Sequence, residues 1–157
     1  MDGSRTRIWK DSMKAISIHQ PWAGWIARGL KTIETRSWPT NYRGDLLIAS
    51  TKKYPGVGEL CYGGSGNALC VVTLADCRPM DWFDMRGAIC PTYPGAWAWL
   101  LENIRPIPPF PVRGRQRLYN VDPVPGVCRV CGCTDLCACA GGCFWVESDL
   151  CSTCALT

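Results

Sequence analysis

Histidine is nearly missing from this chain of 157 residues: His19 is the only one. That removes the usual parts of a Ser-His-Asp relay and of a histidine-ligated catalytic metal. His19 by itself is more simply a strand-end residue than a catalyst. Charge is sparse too, at 19% of residues, against about 25% in an average globular chain. Hydrophobic residues nevertheless make up 47%, enough to bury a core, so wholesale disorder is excluded. No apolar run approaches the ~18–20 residues of a membrane helix. The opening Met-Asp-Gly-Ser-Arg-Thr-Arg has no apolar stretch of the signal-peptide kind. These absences point to a cytoplasmic protein without a membrane span, in a compartment where thiols stay reduced.

What is present is unevenly placed. Residues 14–122 carry thirteen Lys/Arg against eight Asp/Glu, whereas residues 123–157 carry one against three. The body therefore holds the basic surface that could meet phosphates, and the end of the chain does not. Cysteine divides the other way. Of twelve, only Cys61, Cys70, Cys77 and Cys90 precede residue 128, and these read as ordinary buried or loop thiols; eight lie between Cys128 and Cys154.

Along the chain, residues 1–12 show no period and read as a disordered leader. Ala15 to Ile18 reads as a short strand. Pro21 suits the first turn of a helix, Trp22, Trp25 and Ile26 recur at helical spacing, and Gly29 stands where a helix is capped. Ile33 to Arg36 and Asp45 to Ala49 read as strands. Residues 51–67, with Pro55 and five glycines, read as a loop. Ala68 to Ala75 is the best candidate for a central strand, and residues 78–95 look irregular. Trp97 to Leu101 reads as a strand, followed by an extended connection imposed by Pro106, Pro108, Pro109 and Pro111. Arg117 to Val121 is the last strand. One helix and about five short strands in this order predict a small α+β barrel. Residues 123–126, Pro-Val-Pro-Gly, read as a linker, dividing a domain at 13–122 from a tail at 127–157.

The most informative stretch is His19-Gln20-Pro21-Trp22-Ala23, then Gly29-Leu30-Lys31-Thr32-Ile33-Glu34-Thr35-Arg36-Ser37-Trp38. Alternation along a strand puts Glu34 and Arg36 on one face and Thr35 on the other. Lys31, at the helix–strand junction, can reach the first face. A cation, a carboxylate and a guanidinium beside Trp22 and Trp38 suit base recognition, because aromatic walls stack on a ring while charged groups read its edge. The bland alternative is a solvated, salt-bridged strand edge.

Taken together, these pieces resemble the ASCH family, a branch of the PUA-like superfamily. The likeness rests on Ile-x-Gln-Pro-Trp-Ala (Ile18, Gln20 to Ala23), Gly-x-Lys-x-x-Glu-x-Arg (Gly29 to Arg36) and the apolar strand at Val71 to Leu74. It continues through Trp-x-Trp-x-Leu-Glu-Asn (Trp97 to Asn103) and Gly-x-Gln-x-Leu-Tyr (Gly114 to Tyr119). The resemblance implies a small PUA-like β-barrel whose cleft binds RNA or a modified nucleotide or nucleoside, with Gln20, Trp22, Lys31, Glu34, Arg36 and Trp38 as ligand-binding residues. Some members resemble amidohydrolases that remove an acetyl group from acetylated cytidine, using a lysine with a threonine three residues on. Here Lys31 matches the lysine and Glu34 takes the place of the threonine. An enzyme reading accordingly assigns proton transfer to Lys31 and Glu34, with Glu102 as a second carboxylate.

In the tail, Cys128-x-x-Cys131 and Cys151-x-x-Cys154 bracket nineteen residues, close to the spacing of a tetrahedral zinc site. Phe144, Trp145, Val146 and Leu150 are its main apolar groups, too few to fold it by burial. The expectation is one structural zinc on Cys128, Cys131, Cys151 and Cys154, and a second on Cys133, Cys137, Cys139 and Cys143. Disulfides and an iron–sulfur cluster are the competing staples. Three functions stay open: a non-catalytic reader of RNA or a modified nucleotide, an amidohydrolase on an acylated pyrimidine nucleoside, and an adaptor that binds a protein partner through the zinc tail.

Overall fold

The computed structural model describes residues 12–52, 66–122, 128, 130–134, 138–147 and 150–156. The expected leader up to residue 11, most of the glycine-rich loop, the 123–126 linker, Cys61 and Cys137 lie outside the described residues. The chain divides into two compact units, one of residues 15–119 and one built on residues 120–157. No helix among the described residues is long and apolar enough to cross a membrane.

The elements of the six-stranded sheet and its helices follow the hydrophobic pattern closely. They are β1 (Met13–Ile18), α1 (Trp22–Ala27), β2 (Ile33–Arg36), β3 (Gly44–Ser50), β4 (Asn67–Pro79), α2 (Met85–Ala88), β5 (Trp97–Pro111) and β6 (Tyr119–Val121). β4 is central, paired antiparallel with both β3 and β5. α1 packs on β3, β4 and β5. It contributes Ala23 and Ile26 to a core of Ile16, Ile18, Leu46, Ile48, Val72, Leu74, Trp99 and Leu101. Gly29 ends the helix as its position suggests. At φ +74°, it lets Leu30 N–H reach back to Trp25 O at 2.9 Å and Gly29 N–H to Ile26 O at 2.9 Å. That is a Schellman stop, which a side chain at Gly29 would strain.

Three expectations need correcting. The barrel does not close: among the described residues the sheet order is β2-β5-β4-β3-β1-β6, with no pairing that returns from β6 to β2. Instead of a backbone ladder, a side chain spans from β2 to β1, where Arg36 donates to Ser17 O at 3.2 Å. The sheet therefore curls enough to bring β2 within one side chain's reach of β1. Second, the proline-rich stretch is not a connection but the second half of β5. Its register slips between Ala68 and Cys70, opposite Pro106 to Phe110, so prolines that cannot donate fall at the irregularity. A second slip lies beside Asn103, whose φ of +48° marks the bulge.

Third, residues 78–95 are partly regular. A 3₁₀ turn at Trp82–Asp84 leads into α2. It is held by a reciprocal cap: Asp81 accepts from Phe83 N–H at 2.8 Å, and Asp84 accepts from Asp81 N–H at 3.0 Å. Arg78 forks onto both oxygens of the buried Asp84 carboxylate at 2.7 Å each. The hydrogen bond from Arg78 holds this carboxyl below its usual range, outweighing burial and aided by the Asp81 N–H. A carboxyl depressed on folding stabilises fully above its unfolded value, about 3.9 for Asp, and that contribution is lost as pH falls through the folded value. Asp84→Ala should cost about 1.5–3 kcal/mol at neutral pH, the range for hydrogen bonds to a charged group. Urea titrations of both proteins at pH 7 and pH 3 check this, since the gap should shrink in acid.

Candidate functional site

The gap between β2 and β1 is where the charged residues converge. Gly87 makes the convergence possible: its carbonyl accepts from Thr32 N–H at 3.0 Å, and a Cβ there would sit 3.0 Å from the Thr32 hydroxyl and from Ile33 Cδ1. α2 thereby presses against the start of β2. Lys31, only 2% exposed, donates its ammonium to Ala88 O and lies 3.5 Å from Glu34 Oε2. Glu34 Oε1 is in turn 3.1 Å from Arg36 Nε. The expected cation–carboxylate–guanidinium group is thus assembled, with Lys31 and Glu34 buried and Arg36 half-buried. The Arg36 Nε–H is close to Glu34 but not aligned on it, so this buried donor makes no hydrogen bond. Two cations around one carboxylate leave a local excess of one positive charge.

This network forms one wall of a cavity of about 380 Å³, with Trp22, His19 and Ile18 from the β1–α1 corner. Cys90, Pro91 and Tyr93 complete its lining. That stretch follows Ile89, a β-branched residue held at φ +52°, where only local strain of about 1–3 kcal/mol allows it. Thr35, expected on the far face, also borders the cavity; its hydroxyl lies 3.2 Å from Cys90 Sγ. The 90–93 stretch had no periodicity or motif by which sequence reasoning could have found it.

The other residues singled out from sequence sit elsewhere. Trp38 packs edge-on against buried Trp99, ring centroids 4.8 Å apart, with the Arg117 guanidinium 5.2 Å over its ring. It does not line the cavity. Gln20 is buried, its Oε1 accepting from Gly24 N–H at 2.9 Å in the first turn of α1. Glu102 is exposed on β5 opposite Thr73 and does not border the cavity either.

A second cavity, about 450 Å³, shares His19 with the first and is lined by Lys52, Arg113, Arg115 and Gln116, with Ser17, Ser50 and Thr51. His19 Nδ1 is 2.7 Å from the Thr51 hydroxyl. A pocket with a charged wall and a neighbouring basic groove therefore meet at one residue.

The tail unit is a two-stranded sheet of β7 (Trp145–Glu147) and β8 (Leu150–Cys151) followed by one turn of α3 (Ser152–Ala155). Its core is sulfur: Cys128, Cys133, Cys151 and Cys154 are buried, with Val130, Trp145 and Leu150 packed around them. Cys128, Cys131, Cys151 and Cys154 present their sulfurs within 4.8 Å of one another, as do Cys131, Cys133, Cys139 and Cys151. The first set is the one its spacing suggested. In the second, Cys131 and Cys151 appear again, whereas Cys143 stands beside it, 3.7 Å from Cys133 Sγ. The sulfur–sulfur separations of 3.5–3.8 Å are far beyond the ~2.05 Å of a disulfide. The donor set can hold a metal ion of thiophilic type.

Comparison with known proteins agrees with this architecture. The mouse activating signal cointegrator 1 is 31% identical over 127 residues, covering 68% of this chain and 22% of that protein. Its human counterpart is 51% identical over 45 residues, 29% of this chain and 8% of that one. The chain thus spans under a quarter of the length of these relatives. The crystal structure of ASCH from Zymomonas mobilis superposes with a TM-score of 0.53 at 20% identity, covering 69% of this chain and 87% of that one. A single-substitution variant of the same protein gives 0.52 at 19%, covering 69% and 89%. Residues 16–110 match the ASCH domain family, which is most of the curled sheet and the whole wall of charged residues, and the chain belongs to that family.

Proposed function

We propose that residues 15–119 bind RNA, taking one base or modified nucleoside into the Lys31–Glu34–Arg36 cavity and the adjoining backbone into the Lys52–Arg113–Arg115 groove. The carrying observation is that the two cavities adjoin at His19, one supplying directional charge beside Trp22 and Tyr93, the other supplying cations. A buried ammonium and carboxylate with a half-buried guanidinium read donors and acceptors on a base edge. Lysine and arginine in an open groove neutralise phosphates without reading sequence. ASCH membership supports the same reading. In this proposal the tail is ordered by zinc, in a reducing cytoplasmic setting. The exposed Phe144 and Val146 give that tail an apolar face for a protein partner, in keeping with the cointegrator name of the mammalian relatives.

A turnover reading has one observation in its favour: Lys31 and Glu34 are 3.5 Å apart on the cavity wall, close enough to exchange a proton with an acylated nucleoside. Glu102 has no part in it, being away from the cavity.

Tyr93 is 46% exposed and can be cut back without disturbing the core. Base–aromatic stacking is worth roughly 1–3 kcal/mol, so Tyr93→Ala should weaken binding of a short single-stranded RNA by about five- to a hundredfold with an unchanged salt slope. The triple change Lys52→Ala, Arg113→Ala, Arg115→Ala should lower that slope by about 2, at ~0.7 per phosphate of a single strand. Fluorescence anisotropy at several salt concentrations measures both, and acetate release from acetylated cytidine in the same samples reports turnover. If Tyr93→Ala binds RNA as tightly as the unchanged protein, the cavity takes no base.

A further inference from the structure

We propose that the tail holds two zinc ions in one binuclear thiolate cluster, with Cys131 and Cys151 shared between them and Cys128, Cys133, Cys139 and Cys154 as terminal ligands. This rests on the zinc reading above and goes past it, since the spacing alone suggested two separate four-cysteine sites.

The geometry is specific. A tetrahedron with ~2.3 Å metal–sulfur bonds has edges of about 3.8 Å. Cys131, Cys139 and Cys151 form a triangle of 3.5, 3.8 and 3.8 Å, one face of such a tetrahedron. Cys133 completes that set, while Cys128 and Cys154 complete a second around the same Cys131–Cys151 edge. Two tetrahedra sharing an edge are the arrangement of two ions bridged by two thiolates. The N–H of Cys151 also points at Cys128 Sγ, 3.5 Å away, a donor suited to a sulfur that carries charge.

Charge favours sharing as well. Two separate four-thiolate zinc sites carry four excess negative charges, whereas six thiolates around two zinc ions carry two. Residues 123–157 contain a single basic residue, Arg129, against three acidic ones. A buried sulfur cluster with so little compensation is better served by the smaller charge. Sharing also frees Cys137 and Cys143 from any ligand role.

The test uses the full chain, purified without chelator. Zinc analysis should give two ions per chain, and X-ray absorption at the zinc edge should show a zinc–zinc vector under about 4 Å, the spacing of paired-metal sites. With cadmium-113 in place of zinc, two resonances should appear and be scalar-coupled through the shared sulfurs. Cys137→Ser and Cys143→Ser should each keep both ions. Two ions with no metal–metal vector, or loss of one ion in Cys137→Ser, would overturn the shared cluster in favour of separate sites. One ion per chain would overturn it too, leaving a mononuclear zinc tail. A chain that takes up no zinc would overturn both this proposal and the zinc reading beneath it.

Discussion

With the tail ordered by zinc as proposed, stripping the metal is expected to unfold the tail while the curled sheet keeps its structure. Among the described residues the tail has almost nothing else to hold it. Two short strands, one helical turn and three partly buried apolar side chains surround a core of thiols. A lone hairpin is marginal in water, and a four-residue helix cannot pay its nucleation cost. Structural zinc contributes on the order of 10–16 kcal/mol in small zinc domains, more than any other interaction available here. The body, by contrast, is built on a core in which Trp99 and nine or more aliphatic groups are buried. Limited proteolysis read by mass spectrometry should show chelator-treated protein cleaved beyond residue 122, with far-UV circular dichroism of the body retained. A metal-free tail that resists the protease would sink this expectation.

Acid should do the same as chelator. Burial pushes the Cys131, Cys139 and Cys154 thiols up to about 12 and raises Cys133 as well. Cys151 goes the other way, to about 6: burial raises it, but the Cys154 backbone N–H and neighbouring thiols outweigh that. Metal must displace protons from the raised thiols, so zinc affinity climbs with pH and zinc is released as pH falls.

Glu34→Ala is the second large effect, and it falls on the body. Among the described residues it removes the only carboxylate paired with an ammonium that is 2% exposed, and it leaves Arg36, on that carboxylate's other side, without a counter-charge. Breaking a buried pair from one side costs about 3–5 kcal/mol, a large share of the ~5–15 kcal/mol that holds a domain together. For a domain near 100 residues this lowers Tm by more than about 12 °C, at ~4–8 °C per kcal/mol. Lys31→Met combined with Glu34→Leu should recover much of the loss, because both charges leave together. Thermal melts of the unchanged protein, Lys31→Met, Glu34→Leu and the double variant form a cycle that isolates the pair. If Glu34→Ala melts within a degree or two of the unchanged protein, the trio is solvated and the cavity wall is not preorganised.

How these residues divide between sequence and structure has a physical basis. α1 with its glycine stop, β3, the central β4 and the face shared by Glu34 and Arg36 were legible, since each rests on local period or on backbone freedom at one residue. The thiol content of the tail was legible for the same reason: ligand type and short spacing are local. Whether the sheet closes was not, because that depends on which strand edges meet, and here Arg36 reaches Ser17 where a ladder was expected. Trp22 and Trp38 look alike in sequence, yet only the first borders the cavity, because T-shaped packing on Trp99 claims the second. Lys31 could have been a solvated lysine; α2, packed over β2 through Gly87, is what buries it. Likewise, spacing separates eight cysteines into two sets of four, while folding returns Cys131 and Cys151 to both sets. Local pattern determined which chemical groups this protein carries. Long-range packing decided which of them share a dielectric and a distance, and function follows from those two quantities.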